Sequence, residues 1–124
     1  MKISLLFTLI IVSFFTISCA QTEKIEAEIA WDTWGVPHIT ANTVEELFFA
    51  QGWAQMHNHA NLILELYGSS RGKGAEYWGQ EKLQNDILIH TLGFDELADE
   101  WGGNQDPEQK IINKAFIDGM NAYA

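Results

Sequence analysis

The sequence predicts an α+β fold in which a β-hairpin is followed by a mainly α-helical segment. Apolar and polar residues alternate from Ile25 to Trp31, which is the pattern of a strand with one buried face. A capping box over Thr43–Glu46 then opens a helix whose first half is apolar on nearly every side. With 124 residues, the chain holds one small domain at most.

The turn that follows the first strand predicts the hairpin. The segment Asp32–Gly35 has the residue types that tight turns favour, and Gly35 can adopt a positive φ without steric cost. Val36–Thr40 is the expected return strand. Because proline cannot donate a ladder hydrogen bond, Pro37 should lie at a sheet edge or at the start of its strand.

The first helix is predicted to run from its N-cap, Thr43, to about Tyr67. Gly52 inside it costs about 1 kcal/mol relative to alanine, so we expect another element to pack closely against it. The segment Gly68–Gly74 is expected to be a loop that ends this helix. Its first three residues, Gly68–Ser70, are interpreted as part of that loop and not as a processing site.

Three further helical segments are expected after a short turn at Ala75–Trp78. Apolar residues at helical spacing predict one helix across Leu83 to Leu92, and a second is expected at Phe94–Trp101. Asp106 and Pro107 have the residue types of an N-cap and a first helical residue. The last helix then carries an apolar stripe of Ile112, Phe116, Met120 and Tyr123.

The N-terminal residues are predicted to be an export signal and not part of the fold. Met1-Lys2 precedes an apolar run, Ile3–Ile17, and Cys19 follows it as the one cysteine of the chain. We predict a lipoprotein-type signal peptide at 1–18, a spacer at 19–24 and the folded segment at 25–124, with Cys19 lipidated. Plain secretion and a retained anchor stay open, because Thr16 stands where such signals usually carry leucine.

The predicted location is outside the cytoplasm of a bacterium, in the periplasm or attached to a membrane through the lipid on Cys19. The formal net charge is −10. An acidic surface repels phosphate backbones and anionic headgroups, so nucleic acid is excluded as a partner. The apolar fraction of 47% with five tryptophans is more than so short a chain can bury, which is typical of part of a larger core.

No catalytic or metal site is predicted within the chain. His57 and His59 are two positions apart, so on a regular helix they point in different directions and cannot share one ion. The acidic run from Asp95 to Glu100 has the spacing of the solvated face of a helix. The aromatic residues of the first helix are assigned to core packing, and Arg71 to a structural pairing with a carboxylate between chains.

Four segments, taken in order and at their separations, resemble the penicillin acylase family of N-terminal-nucleophile hydrolases. They are Trp34-Gly35-Val36-Pro37-His38-Ile39, Phe48-Phe49-Ala50-Gln51-Gly52-Trp53, Arg71-Gly72 with Gly79, and Asp118-Gly119-Met120-Asn121-Ala122-Tyr123. The resemblance is to the N-terminal part of the α-chain. The run from Arg71 to Gly79 is more similar to the acyl-homoserine-lactone acylase branch. Asn58-His59 stands where many members carry Asp-Arg.

The resemblance implies an amidase made as one precursor that cuts itself into an α-chain and a β-chain. The fold implied is αββα, incomplete here. A serine at the new N-terminus of the β-chain would attack a linear amide, in a penicillin, an acyl-homoserine lactone or a similar N-acyl compound. That β-chain and the small N-acyl substrate are the expected partners. No catalytic or substrate-binding residue is assigned here, and no cofactor, although the full-length parent can bind calcium through a glutamate beyond Ala124.

Two other functions stay open at this point. The chain could be an acidic cell-surface lipoprotein that binds a partner without catalysis. It could also be a degenerate acylase relative that survives as a binding module. Stability separates these hypotheses, since a genuine small module should unfold cooperatively by itself.

Overall fold

The computed structural model describes residues 26–124 as a hairpin packed on a set of helices. Two antiparallel strands pair with Ile29 opposite Ile39 and Trp31 opposite Pro37. The elements in order are β1 (Glu28–Trp31), β2 (Pro37–Thr40), α1 (Val44–Ser70), α2 (Gly74–Trp78), a 3₁₀ turn (Gln80–Lys82), α3 (Leu83–Leu92), α4 (Phe94–Asn104) and α5 (Pro107–Tyr123). The predicted order of a hairpin followed by helices is confirmed. The predicted signal peptide, spacer and Cys19 lie outside the described residues.

The start of α1 has the predicted capping box. Thr43 Oγ1 accepts the Glu46 N–H at 3.1 Å, and Glu46 Oε2 accepts the Thr43 N–H at 3.1 Å. The other oxygen of Glu46 accepts the N–H of Glu26 at 3.1 Å, which links the chain before β1 to the start of the helix. The N–H groups of Glu26, Asn42 and Thr43 hold the pKa of Glu46 below its usual value, against an opposing effect of burial.

The core of the described part lies where α1 crosses α5. A Cβ on Gly52 would overlap the carbonyl oxygen of Phe116, and a Cβ on Gly119 would overlap that of Phe49. The two helix backbones are therefore in direct contact, as the position of Gly52 predicted. Around this contact lie the buried hydrophobic side chains of the described residues: Ala50, Ala54, Met56 and Met120.

The predicted loop at Gly68–Gly74 is wrong in its first three residues, because α1 continues to Ser70. Gly68 stays helical and makes room for the ring of Trp78, which a Cβ there would overlap. The helix ends at Ser70, and Gly72, whose φ is 63°, prevents it from continuing, while the Lys73 N–H donates to the Gly68 carbonyl at 2.8 Å. Gly68 was misread because a packing glycine and a terminating glycine look alike in a sequence.

Asp86 on α3 holds the first turn of α2 in place. Its side chain is 6% exposed, and its two oxygens accept the N–H groups of Gly74 at 3.0 Å and Ala75 at 2.7 Å. These N–H groups have no partner inside a helix, since they belong to its first turn. Nearby, the Glu65 carboxylate binds Lys82 and raises the pKa of that ammonium group, and so connects α1 to the 3₁₀ turn.

Much of the apolar surface of the described part remains uncovered. Trp34 is 88% exposed and Trp101 63%, and both α1 and α3 expose leucines that lie four positions apart. These pairs are Leu62 with Leu66 and Leu88 with Leu92. No helix within residues 26–124 has the length and apolar character needed to cross a membrane. This exposure agrees with the expectation that the segment belongs to a larger core.

Replacing Gly52 with alanine should destabilise the protein. The new Cβ would meet the backbone of α5, which cannot rotate away as a side chain can. Overpacking of this kind costs roughly 1–3 kcal/mol. Urea unfolding of the full-length protein measures the loss. Gly102→Ala is the matched control, because that helical glycine has nothing within 4 Å of an added Cβ and should gain up to about 1 kcal/mol. Equal stability of the two variants would contradict the close crossing.

Asp86→Ala should destabilise the region around α2, because two N–H groups lose a charged acceptor. The expected loss is roughly 2–3 kcal/mol. Asp86→Asn keeps one carbonyl oxygen and should lose less. The control is Asp95→Ala on α4, since that side chain is 60% exposed and its removal should change stability by less than about 0.5 kcal/mol. Thermal unfolding ranks the three variants, and a neutral Asp86→Ala would refute the capping role.

Candidate functional site: a cleft between the hairpin and the first helix

A cleft of about 450 Å³ lies between the turn end of the hairpin and the middle of α1. The hairpin forms an apolar wall, and α1 forms a wall with several amide side chains. The hairpin residues are Gly35, Val36, Pro37 and Ile39, and the helix residues are Leu47, Gln51, Ala54, Gln55, Asn58 and His59. The cleft therefore contains residues of the first two segments on which the family resemblance depends.

The hairpin turn is fixed by the carboxylate of Asp32. One of its oxygens accepts the N–H of Trp34 at 2.8 Å and that of Val36 at 2.9 Å. Gly35 has a φ of 78°, so its conformation is the positive one that the sequence predicted. The Val36 N–H contributes most to holding the pKa of Asp32 below its usual value; Trp34 and His38 act in the same direction, and burial opposes them.

Asn58 connects α1 to this turn. Its amide nitrogen lies 3.5 Å from the Gly35 carbonyl oxygen, and its amide oxygen lies 3.1 Å from His57 Nδ1. Asn58 thus fills, with a neutral side chain, the position where many relatives were expected to carry a charged one.

His57 lies among three aromatic rings from three different elements. Its ring centroid is 4.9 Å from that of Trp31 on β1, 5.4 Å from Trp53 on α1 and 5.8 Å from Tyr123 on α5. The Trp53 ring is nearly parallel to it, and the Tyr123 ring presents an edge. The cluster therefore links β1, α1 and α5 through one histidine.

His59 interrupts the helix beside the cleft, with φ −138° and ψ 25°. His57 and His59 were expected to point apart on a regular helix, but the helix is not regular at this point. The two side chains nevertheless lie in different surroundings, one among the rings and one in the cleft. Within residues 26–124, no group of three or more histidine, cysteine or acidic side chains is arranged to hold a metal ion.

The chemistry of the cleft is that of binding. Its lining offers the amides of Gln51, Gln55 and Asn58 beside apolar surface, and it has no serine, cysteine or lysine that could act as a nucleophile. The cleft can therefore position a peptide-like or acyl group but holds no pair of groups that could break a bond.

A second, charged cleft of about 590 Å³ lies at the far end of α1. His90 Nε2 lies 3.0 Å from the Gly72 carbonyl, and His90 Nδ1 lies 3.9 Å from Asp95. Arg71 lines this cleft with Asp95 and Asp99 but forms no ion pair within residues 26–124. Its predicted pairing with a carboxylate of another chain stays a prediction.

The sequence reasoning did not find the kink at His59 or the rings around His57. The rings around His57 depend on α5 packing against α1, which brings Tyr123 to a histidine far away in the chain. No local pattern specifies that approach. The one feature of the sequence that could have indicated the ring cluster is that Trp31, Trp53 and Tyr123 each lie on the apolar side of their own predicted element.

Comparison with known proteins gives one consistent result. The family model described as Penicillin amidase matches residues 26–124. The chain is 27% identical over 92 residues to the penicillin acylase 2 proenzyme of Pseudomonas sp. (strain SE83), covering 74% of this chain and 12% of that protein. It is also 27% identical over 104 residues to penicillin G acylase of Escherichia coli, covering 84% of this chain and 12% of that protein.

An acyl-homoserine lactone acylase is nearly as similar. QuiP of Pseudomonas fluorescens (strain Pf0-1) is 26% identical over 89 residues, covering 72% of this chain and 11% of that protein. The predicted closeness to this branch therefore stays a prediction. The chain spans about an eighth of the length of the curated relatives that it matches.

The fold is also that of a solved relative. The thermostable penicillin G acylase from Alcaligenes faecalis aligns with a TM-score of 0.71 at 22% identity, over 79% of this chain and 52% of that one. This likeness confirms the predicted α+β fold class. The family model covers most of the chain in one continuous match. The chain therefore belongs to the Penicillin amidase family.

Proposed function

We propose that this chain is the N-terminal part of an acylase precursor that hydrolyses a linear amide between an acyl group and an amine. The observation that carries the proposal is the continuous family match over residues 26–124. The names of the relatives support it, since they are penicillin acylases and acyl-homoserine lactone acylases. The substrate class proposed is therefore an N-acyl compound of one of these kinds, with the lactone branch preferred from the Arg71–Gly79 segment.

The catalytic group of the parent is proposed to be an N-terminal serine outside this chain, released when the precursor cuts itself. Its hydroxyl would attack the amide carbonyl and its own amino group would act as the base. A terminal amine has a pKa near 8, which is close to ambient pH and suits a general base. Nucleophile and base then belong to one residue. The absence of a nucleophile from the cleft lining agrees with a catalytic serine that lies outside this chain.

The role of the present chain in that enzyme is proposed to be structural and positioning. The contact between α1 and α5 and the turn fixed by Asp32 would hold the cleft at the edge of the active site. The exposed leucines of α1 and α3 and the exposed tryptophans would be covered by the second chain of the same precursor. That second chain is the proposed partner.

Export and anchoring are part of the proposal. The apolar run before Cys19 supports delivery to the periplasm or to a membrane through a lipid on that cysteine. Calcium is proposed for the full-length parent only. Mass spectrometry of the exported protein tests the anchor, since lipidation predicts a mature chain that begins at an acylated Cys19.

Expression of the complete reading frame tests the activity. We expect self-cleavage into two chains and release of a free amine from penicillin G or from an N-acyl-homoserine lactone. Replacing the serine at the start of the second chain with alanine should make self-cleavage or amide hydrolysis undetectable. The control is Gly102→Ala, which should retain full activity because an added Cβ there has nothing within 4 Å. An intact, folded precursor that cleaves neither compound class would contradict the proposal.

Expression of residues 26–124 alone distinguishes this proposal from the alternative that the chain is a self-sufficient binding module. The exposed hydrophobic side chains predict that the isolated segment binds a fluorescent apolar dye, aggregates and lacks a cooperative thermal transition. The processed full-length protein is the control and should melt cooperatively. A sharp two-state melt of the soluble segment alone would favour the non-catalytic surface lipoprotein.

A further inference from the structure

We propose that the charged cleft between the end of α1 and α4 is a binding site for a free amino acid. In this site the carboxylate of the ligand binds Arg71 and its ammonium group binds Asp99. The inference goes beyond the proposed acylase activity and does not depend on it. It rests on the cavity, on the opposite charges of its two walls, and on the contacts that the charged side chains make or lack within residues 26–124.

The cleft has the size of a small-molecule site and a lining that suits a hydrophilic ligand. Its volume is about 590 Å³, and ligand pockets commonly span roughly 300–1,000 Å³. No large hydrophobic side chain belongs to the lining, so a purely apolar ligand would have little to pack on. Besides Gly72 and Ala98, the lining consists of Arg71, Lys73, Glu76, His90, Asp95 and Asp99.

The two walls of the cleft carry opposite charges. One wall is the end of α1 with the turn that follows it, and it contributes Arg71 and Lys73. The other wall is α4, where Asp95 and Asp99 lie four positions apart and therefore share one face of the helix. A ligand in the cleft thus meets a cationic wall on one side and an anionic wall on the other.

Arg71 and Asp99 have no ionic partner in the part of the chain that the structure describes. Lys73, by contrast, lies 3.9 Å from Glu76. Arg71 and Asp99 line the same cavity but are too far apart to form an ion pair with each other. Two opposite charges that a cavity separates suit a ligand that carries both charges itself.

The walls are held in place by contacts that do not involve these two charges. The Arg71 N–H donates to the Tyr67 carbonyl at 3.1 Å, which fixes the backbone at the end of α1. His90 connects the walls, because its Nε2 lies 3.0 Å from the Gly72 carbonyl oxygen and its Nδ1 lies 3.9 Å from Asp95. A site whose backbone is already ordered loses less entropy when a ligand binds.

The mixed charge of the lining disfavours simpler ligands. A phosphate ion would bind Arg71 but would also face the carboxylates of Glu76, Asp95 and Asp99, in a chain whose formal net charge is −10. A metal cation would face Arg71 and Lys73, and residues 26–124 contain no group of three or more histidine, cysteine or acidic side chains arranged to hold one.

An α-amino acid meets both requirements, since it carries one charge of each sign and no net charge. A guanidinium group binds a carboxylate through two parallel hydrogen bonds, and an ammonium group offers three donors to carboxylate oxygens. Arg71 and Asp99 are therefore the two side chains assigned to the ligand.

Binding of an amino acid would tie α4 to the end of α1. No residue of α4 is buried in the described part of the chain, and a ligand that contacts both Arg71 and Asp99 would bridge the two helices. A ligand that binds only the folded state stabilises it more strongly as its concentration rises. We therefore expect the bound amino acid to slow amide hydrogen exchange in α4.

Calorimetric titration of the full-length protein with L-alanine tests the site. Two derivatives separate its charges, because L-alanine amide lacks the carboxylate and N-acetyl-L-alanine lacks the ammonium group. We expect saturable binding of L-alanine and roughly tenfold weaker binding of each derivative, which loses one charge-assisted contact. Absence of saturable binding of L-alanine would overturn the proposal, as it would if Arg71 were already bound to a carboxylate of another chain. Equal binding of the three compounds would also refute it.

Two variants assign each charge of the ligand to a side chain. Arg71→Gln should weaken binding of L-alanine about tenfold but leave that of L-alanine amide unchanged, because the amide has no carboxylate to lose. Asp99→Asn should weaken binding of L-alanine about tenfold but leave that of N-acetyl-L-alanine unchanged. Equal losses for L-alanine and for the matching derivative would refute the assignment.

The controls are Glu100→Gln, a carboxylate of α4 that does not line the cleft, and Lys114→Gln on α5. Both should bind L-alanine as the wild type does. Thermal unfolding without ligand checks that every variant folds, and the derivatives decide the question on the wild-type protein if one does not. Tighter binding of phosphoethanolamine than of L-alanine would make a lipid headgroup the ligand and overturn the proposal. These measurements detect binding and not hydrolysis, so a failure of the proposed acylase activity leaves them interpretable.

Discussion

The contact between the backbones of α1 and α5 is the constraint on which the rest of the described structure depends. Gly52 and Gly119 each lie against a carbonyl group of the other helix, and no larger residue fits at either position. The buried side chains of the described part are small or flexible and surround this crossing. Because the helices approach so closely, the end of α5 reaches the middle of α1 and brings Tyr123 to His57.

The hairpin takes its position from that crossing. Trp31 packs on His57, which the two helices have already placed between Trp53 and Tyr123. Asn58 next to it contacts the carbonyl of Gly35, and the Asp32 carboxylate then sets the shape of the turn. The cleft is what remains between the turn and α1. Its amide-rich wall and its lack of a nucleophile agree with the proposed positioning role.

Features controlled by neighbours in the chain could be predicted from the sequence. The capping box at Thr43, the positive φ of Gly35 and the N-cap at Asp106 each involve residues within four positions of one another, and each is present. Features controlled by distant residues could not. Asp86 caps a helix that begins twelve positions earlier, and Gly68 stays helical because Trp78 packs on it. The family could be identified because its motifs are short, ordered segments, whereas the geometry of the cleft required the packing of α5.

The same crossing has a consequence for how the protein is made. Gly52 meets Phe116, more than sixty positions later in the chain, so the core cannot close while the intervening residues are still being synthesised. At a synthesis rate of ~5–20 residues per second, Phe116 is added several seconds after Gly52. Contacts between such distant residues also make folding slow. During this interval the glycine face of α1 has no partner helix, so the longest helix of the described part cannot complete its core.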